Sequence, residues 1–144
     1  MLKGSYCLTL KVKKDLKIKV RSGREFFIKE GVYTYCGSAM GGLKRRIERH
    51  LKGKKRKHWH IDFLTCNKNV EVLEVSLFEG RRIECDIARE LSKPCREIEG
   101  FGASDCKCRS HLFKIESPEV LAEVVEKFEG KILKGEELWN LENC

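Results

Sequence analysis

The residues best suited to chemistry lie in one run, Tyr33-Thr34-Tyr35-Cys36-Gly37-Ser38-Ala39-Met40-Gly41-Gly42-Leu43-Lys44-Arg45-Arg46-Ile47-Glu48-Arg49-His50-Leu51. The run reads as a strand, a glycine-rich turn and a basic helix. Tyr33 and Tyr35 are two apart, so a strand points both to one face. Gly37, Gly41 and Gly42 let the backbone turn and approach other groups closely. Leu43, Ile47 and Leu51 repeat at the spacing of one apolar helix stripe. Arg46 and His50 then fall together on the rim of that stripe, with Arg45 and Arg49 facing further out. A cation and an imidazole one turn apart, opposite two tyrosines, can hold and cut a phosphodiester. The same pattern also fits a surface helix whose arginines are simply solvated.

A second group of reactive side chains lies further on. Cys106-Lys107-Cys108-Arg109-Ser110-His111 gathers soft ligands, and Cys85 would complete a Cys3His set suited to Zn2+. The gap between Cys106 and Cys108 is tighter than the common zinc spacing, and a disulfide or plain buried thiols fit as well. Cys7, Cys36, Cys66 and Cys95 read as structural. His58 and His60 flank Trp59. In a helix, imidazoles at that spacing diverge, so they are not a chelating pair. They suit phosphate contacts or the rim of a site, and a structural role suits them equally.

The elements that must position these residues follow from periodicity. Tyr6, Leu8, Leu10 and Val12 alternate with polar residues and predict a half-buried strand. Leu16, Ile18 and Val20 predict another, and Ser22-Gly23 a tight turn before Arg24 to Ile28. After the break at Glu30-Gly31, Val32 to Cys36 continues extended. Three or four antiparallel strands thus precede the basic helix. A short helix is expected from His58 to Thr65, a strand from Val70 to Leu77, and a helix from Arg82 to Leu91, stopped by Pro94. Residues 98–109 read as irregular, and Leu112 to Ile115 as a terminal strand. Ser117-Pro118-Glu119 starts a last helix, and with the Leu138-Trp139 tail it should pack over one sheet face. The expected fold is α/β or α+β: a small, mainly antiparallel sheet flanked by helices, with an added C-terminal helix. The expected division is a core domain at 1–116 and a helical extension at 117–144 packed on it.

The chain has 144 residues and a formal net charge of +8. This length supports one domain with a real core. Nine Lys or Arg between Lys44 and Lys57 face only Glu48, which accounts for the whole +8. Charge concentrated in one patch is the footprint of a polyanion partner, and Trp59 beside it favours nucleic acid. A disordered basic loop or localisation tag would carry the same charges. Arg45, Arg49, Lys52, Lys54, Lys55, Arg56, Lys57, His58 and His60 are the candidate contacts. No apolar run reaches the ~18 residues of a membrane span, which excludes a helical membrane protein and leaves no membrane partner. Met1 to Ser5 lacks the apolar core of a signal peptide, so a cytoplasmic location is expected. Abundant Lys and Glu with no Gln is a heat-adapted bias, which weakens inference from cysteines to compartment.

Tyr35-Cys36-Gly37-Ser38-Ala39, followed by Leu43-Lys44-Arg45-Arg46-Ile47-Glu48-Arg49-His50, resembles the second half of the GIY-YIG nuclease motif. Cys36 stands where that superfamily has Ile or Val, and the Gly41-Gly42 pair makes the turn one residue longer than in many members. His58-Trp59-His60-Ile61-Asp62, Glu84-Cys85 and the run from Phe101 through Ser104-Asp105 to Phe113 resemble the Uri-type branch, found largely in archaea. The likeness covers about Lys3 to Phe113. Gly4-Ser5-Tyr6 fits the first half with Ser in the middle, and Gly31-Val32-Tyr33 is the second choice. With Tyr6, the long interval to Tyr35 requires an inserted hairpin.

The resemblance implies a metal-dependent endonuclease acting on nucleic acid, with DNA ahead of RNA. It implies Tyr6 as general base, Tyr35 as water-positioning partner, Arg46 against the phosphate charge and His50 as hydrogen-bonding or proton-transfer partner. Glu84 would hold Mg2+ or Mn2+, with Glu90 as its competitor. Asp105 and His111 could belong to the same site. A domain this small often needs a homodimer or a repair-protein partner to choose its target. A binding module that keeps the fold and the basic patch without cutting is the alternative.

Overall fold

The strand from Gly4 to Val12 (β1) lies at the heart of the protein, and only Lys11 along it is exposed. In the computed structural model, which describes residues 2–103, 106–135 and 137, it is one of twelve elements. They run β1, β2 (Leu16–Lys19), β3 (Glu25–Ile28), β4 (Gly31–Ala39), α1 (Leu43–Leu51), α2 (Asp62–Thr65), β5 (Val70–Glu79), α3 (Glu84–Leu91), β6 (Arg96–Glu97), β7 (Leu112–Ile115), α4 (Pro118–Lys127) and β8 (Lys131–Lys134). Six strands form one sheet in the order β6-β7-β4-β1-β5-β8, and every pairing in it is antiparallel. The β2–β3 hairpin is a separate two-stranded sheet. It lies in the chain between Tyr6 and Tyr35, where the resemblance leads one to expect a hairpin.

The expectation of a half-buried first strand is corrected. Tyr6, Leu8, Leu10 and Val12 enter a core shared with α1, α2 and the hairpin. Cys7, on the opposite face, enters a second core built from Ile87, Ala88 and Leu91 of α3 and Leu121, Val124 and Val125 of α4. Ser5 and Thr9 are buried too. Alternation marks which face is apolar, not whether the polar face is covered. The C-terminal helix does pack on this second face. Beyond it, β8 pairs with β5, so the segment after α4 extends the sheet. The lysines at both ends of β8 keep this edge strand charged and discourage pairing with another chain.

The expected helix from His58 to Thr65 is reduced to its last turn. Asp62 is the reason. Its fully buried carboxylate accepts the backbone N–H groups of His58 (2.8 Å) and Trp59 (2.9 Å), which holds them out of a helix. Arg49 closes on the same carboxylate with two bonds of 2.6 and 2.8 Å. Burial alone would raise the Asp62 pKa. The Arg49 fork and the two N–H donors outweigh it and hold the carboxyl below its ordinary range. Ser104, Asp105 and the Leu138-Trp139 tail lie outside the described residues.

Removing the Asp62 carboxylate strands a cation and two backbone donors. Asp62→Ala should therefore lower unfolding stability by about 3–5 kcal/mol, read by urea denaturation at neutral pH. An effect below about 1 kcal/mol would mean that Asp62 does not hold the α1–α2 corner.

Candidate active site

Tyr6 sits opposite Gly37 in the β1–β4 register, and Leu8 sits opposite Tyr35. The two tyrosines thus come from neighbouring antiparallel strands, with ring centroids 6.5 Å apart. Gly37 is required by this packing, because a Cβ there would lie 2.6 Å from the Tyr6 hydroxyl oxygen. Tyr33 shares the Tyr35 face, but its hydroxyl turns away and donates to the Lys29 carbonyl at 2.8 Å. Geometry therefore favours Tyr6 over Tyr33 as the partner of Tyr35.

Helix α1 rolls further than the stripe predicts. Leu43 and Ile47 are buried as expected, but His50 is buried in place of Leu51. Its Nε2 lies 2.6 Å from the Tyr6 hydroxyl. Burial, then the Lys55 ammonium, pulls the His50 pKa down to about 3, so the ring is neutral at physiological pH. A neutral ring that accepts at Nε2 carries its proton on Nδ1, and Nδ1 has no partner among the described residues. The Tyr6 and Tyr35 phenols are both raised above their ordinary value by burial, against the opposing pull of Arg46.

Arg46 reaches the same place from α1. Its guanidinium lies 4.3 Å from the centroid of Trp59, and Arg49 lies 4.4 Å from the same ring. Arg46 also donates to the Ser38 carbonyl at 3.2 Å. Glu84, in the first turn of α3, accepts a hydrogen bond from the Ser38 hydroxyl and lies 3.6 Å from Arg82. Ser5 Oγ accepts the Ile83 N–H at 2.8 Å and lies 2.7 Å from Ser38 Oγ, tying β1 and β4 to the start of α3. Glu90 is paired with Lys93 and Lys127 on another face. Tyr6, Tyr35, Arg46, His50 and Glu84 thus line one cleft of about 490 Å³, together with Ser38, Trp59 and Arg82.

The expected nucleic-acid contacts divide. Arg45, Lys52, Lys54, Arg56 and Lys57 are exposed. Arg49 and Lys55 are half-buried and hold internal partners. Arg49 is engaged by Asp62, and Lys55 caps the end of α1, donating to the carbonyls of Arg49 (2.6 Å), Lys52 (2.9 Å) and His50 (3.3 Å). A cation on the carbonyls of the last turn stabilises the helix end. His60 Nδ1 accepts the Gly102 N–H at 2.9 Å, a structural contact. His58 is exposed and lies 3.0 Å from Arg21. Both histidines line the cleft.

Cys85, Cys106, Cys108 and His111 converge, and their four ligand atoms lie within 4.8 Å of one another. His111 Nε2 is 3.2 Å from Cys106 Sγ and 3.9 Å from Cys85 Sγ. Burial and the neighbouring thiols of Cys85 and Cys106 push the Cys108 thiol up to about 12. The set can hold a metal, and three sulfurs with one imidazole match Zn2+ rather than Mg2+. Cys7 and Cys36, 3.8 Å apart, are buried in the second core, as their structural reading expects.

The family described as Domain of unknown function DUF123 matches residues 5–133. The chain belongs to this family. No curated protein and no solved structure matches it. The DUF123 match runs from Ser5 in β1 to Leu133 in β8, so it takes in the cleft, the Cys3His cluster and α4. No described helix of this DUF123 protein is long and apolar enough to cross a membrane.

Sequence reasoning passes over Ser5 and Ser38 as groups that orient Glu84, and Asp62 as the partner of Arg49. In the sequence alone, Ser5 is only a departure from a motif. Its signal is a small hydroxyl in the middle of an apolar strand, where a buried polar group demands a partner.

The depressed His50 pKa has a thermodynamic consequence. Between the ordinary value of 6.5 and about 3, the unfolded chain binds a proton that the native state refuses. Stability therefore falls as pH falls through that window. Relative to His50→Gln, the wild type should lose about 2–3 kcal/mol between about pH 7.5 and about pH 4.5 in denaturant titrations. Parallel stability–pH curves would contradict a buried neutral His50.

Proposed function

We propose that this protein is a metal-dependent endonuclease of the GIY-YIG type that hydrolyses phosphodiester bonds in nucleic acid, with DNA the first substrate to test. The supporting observation is convergence. Tyr6, Tyr35, Arg46, His50 and Glu84 come from β1, β4, α1 and α3, and they line one cleft beside an exposed basic patch. Phosphodiester hydrolysis needs an activated water, a cation against the phosphate charge and a stabilised leaving oxygen.

Tyr6 need not ionise beforehand. It can take the proton of the attacking water at its hydroxyl oxygen while passing its own proton to His50 Nε2, 2.6 Å away. His50 alone is a poor acceptor, because burial favours its neutral form. An anionic phosphate bound in the cleft would favour the charged imidazolium and improve it. Tyr35 would hold the water, and Arg46, kept in place by Trp59, would pair with the phosphate. Glu84 offers hard oxygen ligands, fixed by Ser38, with room for water around them, which fits Mg2+ or Mn2+. Such an ion would stabilise charge on the leaving oxygen.

The burial that keeps Tyr6 and Tyr35 protonated favours a second reading, a nucleic-acid-binding module that uses this cleft without cutting. The two readings part on purified protein assayed with single-stranded, duplex and branched DNA and with RNA, in Mg2+, Mn2+ or EDTA. A nuclease should lose about 100-fold or more of its cutting rate in Arg46→Ala, Tyr6→Phe or Glu84→Gln. Tyr6→Phe and Glu84→Gln should leave binding nearly unchanged. Binding without cutting on every substrate would select the binding module, and cutting that persists in EDTA would remove the metal from the proposed mechanism.

Under either reading, the exposed cations should carry the affinity. Replacing Lys54, Arg56 and Lys57 together by Gln should weaken duplex DNA binding. It should also flatten the slope of log affinity against log salt by up to about 2.7, or ~0.9 for each phosphate no longer neutralised. An unchanged slope would remove this patch from the binding surface.

A further inference from the structure

We propose that Cys85, Cys106, Cys108 and His111 hold one structural Zn2+, and that this ion clamps residues 98–103 and 106–111 onto the first turn of α3 to build one wall of the cleft. This rests on the cluster itself and not on whether the cleft cuts nucleic acid.

Ligand chemistry and number come first. Tetrahedral zinc, with ~2.3 Å bonds to sulfur and ~2.0 Å to nitrogen, sets its ligand atoms about 3.5–3.8 Å apart. The four atoms here already lie within 4.8 Å of one another, and two of the separations, 3.2 and 3.9 Å, bracket the ideal. Four protein ligands fill the coordination sphere, which marks a structural site and not a catalytic one. All seven described cysteines are unpaired. A disulfide within the cluster would use two sulfurs and leave the third thiol and the imidazole without a common purpose.

The orientation of His111 is the second, independent observation. Its ring is buried, and Nδ1 lies 2.9 Å from the Cys36 carbonyl oxygen. A carbonyl only accepts, so Nδ1 carries the proton and donates it. In the neutral ring Nε2 then offers a lone pair, and it lies 3.2 Å from Cys106 Sγ and 3.9 Å from Cys85 Sγ. Imidazole ligands of metals are held in this manner, with the far nitrogen donating to a carbonyl or carboxylate. The same histidine is tied to β4 through its own carbonyl, which accepts the Cys36 N–H at 2.9 Å.

The clamp explains how an irregular segment forms a wall. Residues 98–111 have no regular strand or helix among those described, and Gly102 is left-handed, with φ of 68°. A Cβ on Gly102 would lie 2.8 Å from the Tyr35 ring, so this backbone lies directly against a cleft tyrosine. Cys85 follows Glu84 in the chain, and Cys106 and His111 line the same cleft as Glu84. One ion would thus join the segment, the start of α3 and, through His111, β4.

The full chain should be purified without chelators and its metal measured, then stripped and refilled with Co2+. The expected result is one zinc per chain and, after exchange, the visible bands of tetrahedral cobalt with thiolate charge transfer. Cys108→Ser and His111→Asn should lose the metal, while Cys66→Ser and Cys95→Ser should keep it. If a ligand variant fails to fold, the cobalt spectrum of the wild type still decides the point. Stripping zinc should speed amide exchange in the 98–111 segment and the first turn of α3 while leaving β1 and β4 protected. Absence of both zinc and the cobalt spectrum, or a disulfide within the cluster, overturns the site. Zinc bound with unchanged exchange in that segment overturns the clamp. Failure of the nuclease reading appears only in the cleavage assay and leaves these results untouched.

Discussion

A strand buried on both faces must satisfy every polar atom it carries inside the protein, and β1 works under that constraint. The main-chain groups are taken by β4 on one side and β5 on the other. The side chains are the harder problem. Ser5 and Tyr6 are neighbours, so they point to opposite faces, and each places its hydroxyl in a buried position. Ser5 meets Ser38 and the Ile83 N–H; Tyr6 meets His50. One side of the constraint therefore fixes the start of α3 and orients Glu84. The other fixes α1 and, with it, Arg46. The candidate site forms where these solutions meet at the end of β1.

The same low-dielectric setting determines the electrostatics. Burial keeps His50 neutral and both phenols protonated, so the resting cleft holds its protons on oxygen and its lone pair on nitrogen. The positive charge comes from Arg46, which is stacked on Trp59 and half-buried. Charge that is fixed before a ligand arrives costs little reorganisation when an anion binds. The Asp62–Arg49 pair works differently. Both of its charges are spent on each other, and its effect is to fold residues 58–62 back over α1 so that Trp59 can reach Arg46.

Two sheet faces serve two purposes. The face carrying Tyr6, Leu8 and Leu10 supports the cleft with α1, α2 and the β2–β3 hairpin. The opposite face, with Cys7 and Cys36, is packed by α3 and α4, and Lys127 of α4 pairs with Glu90 of α3 at 2.8 Å. Helix α4 and strand β8 support the sheet from behind and do not approach the cleft. Their inclusion in the DUF123 match fits a unit whose rear packing belongs to the same fold.

The sequence by itself determined the types of the longer elements, because hydrophobic period is a local property. The strands around Tyr6 and Tyr35, the helix bearing Arg46 and His50, and the strand from Val70 are all legible from spacing. So was the concentration of charge between Lys44 and Lys57, since charge is read residue by residue. The tertiary structure decided what depends on distance between remote segments. It buried the second face of β1, turned His50 inward in place of Leu51, and assigned Arg49 and Lys55 to internal partners instead of solvent. It brought Cys85 to Cys106, Cys108 and His111, and Glu84 to Ser38. The short strands β6 and β8 carry too few residues for a period of two to stand out, and they exist because β7 and β5 offer open edges. Periodicity shows which face of an element is apolar; only the packed chain shows what covers the other face, and the polar atoms trapped there form much of this site.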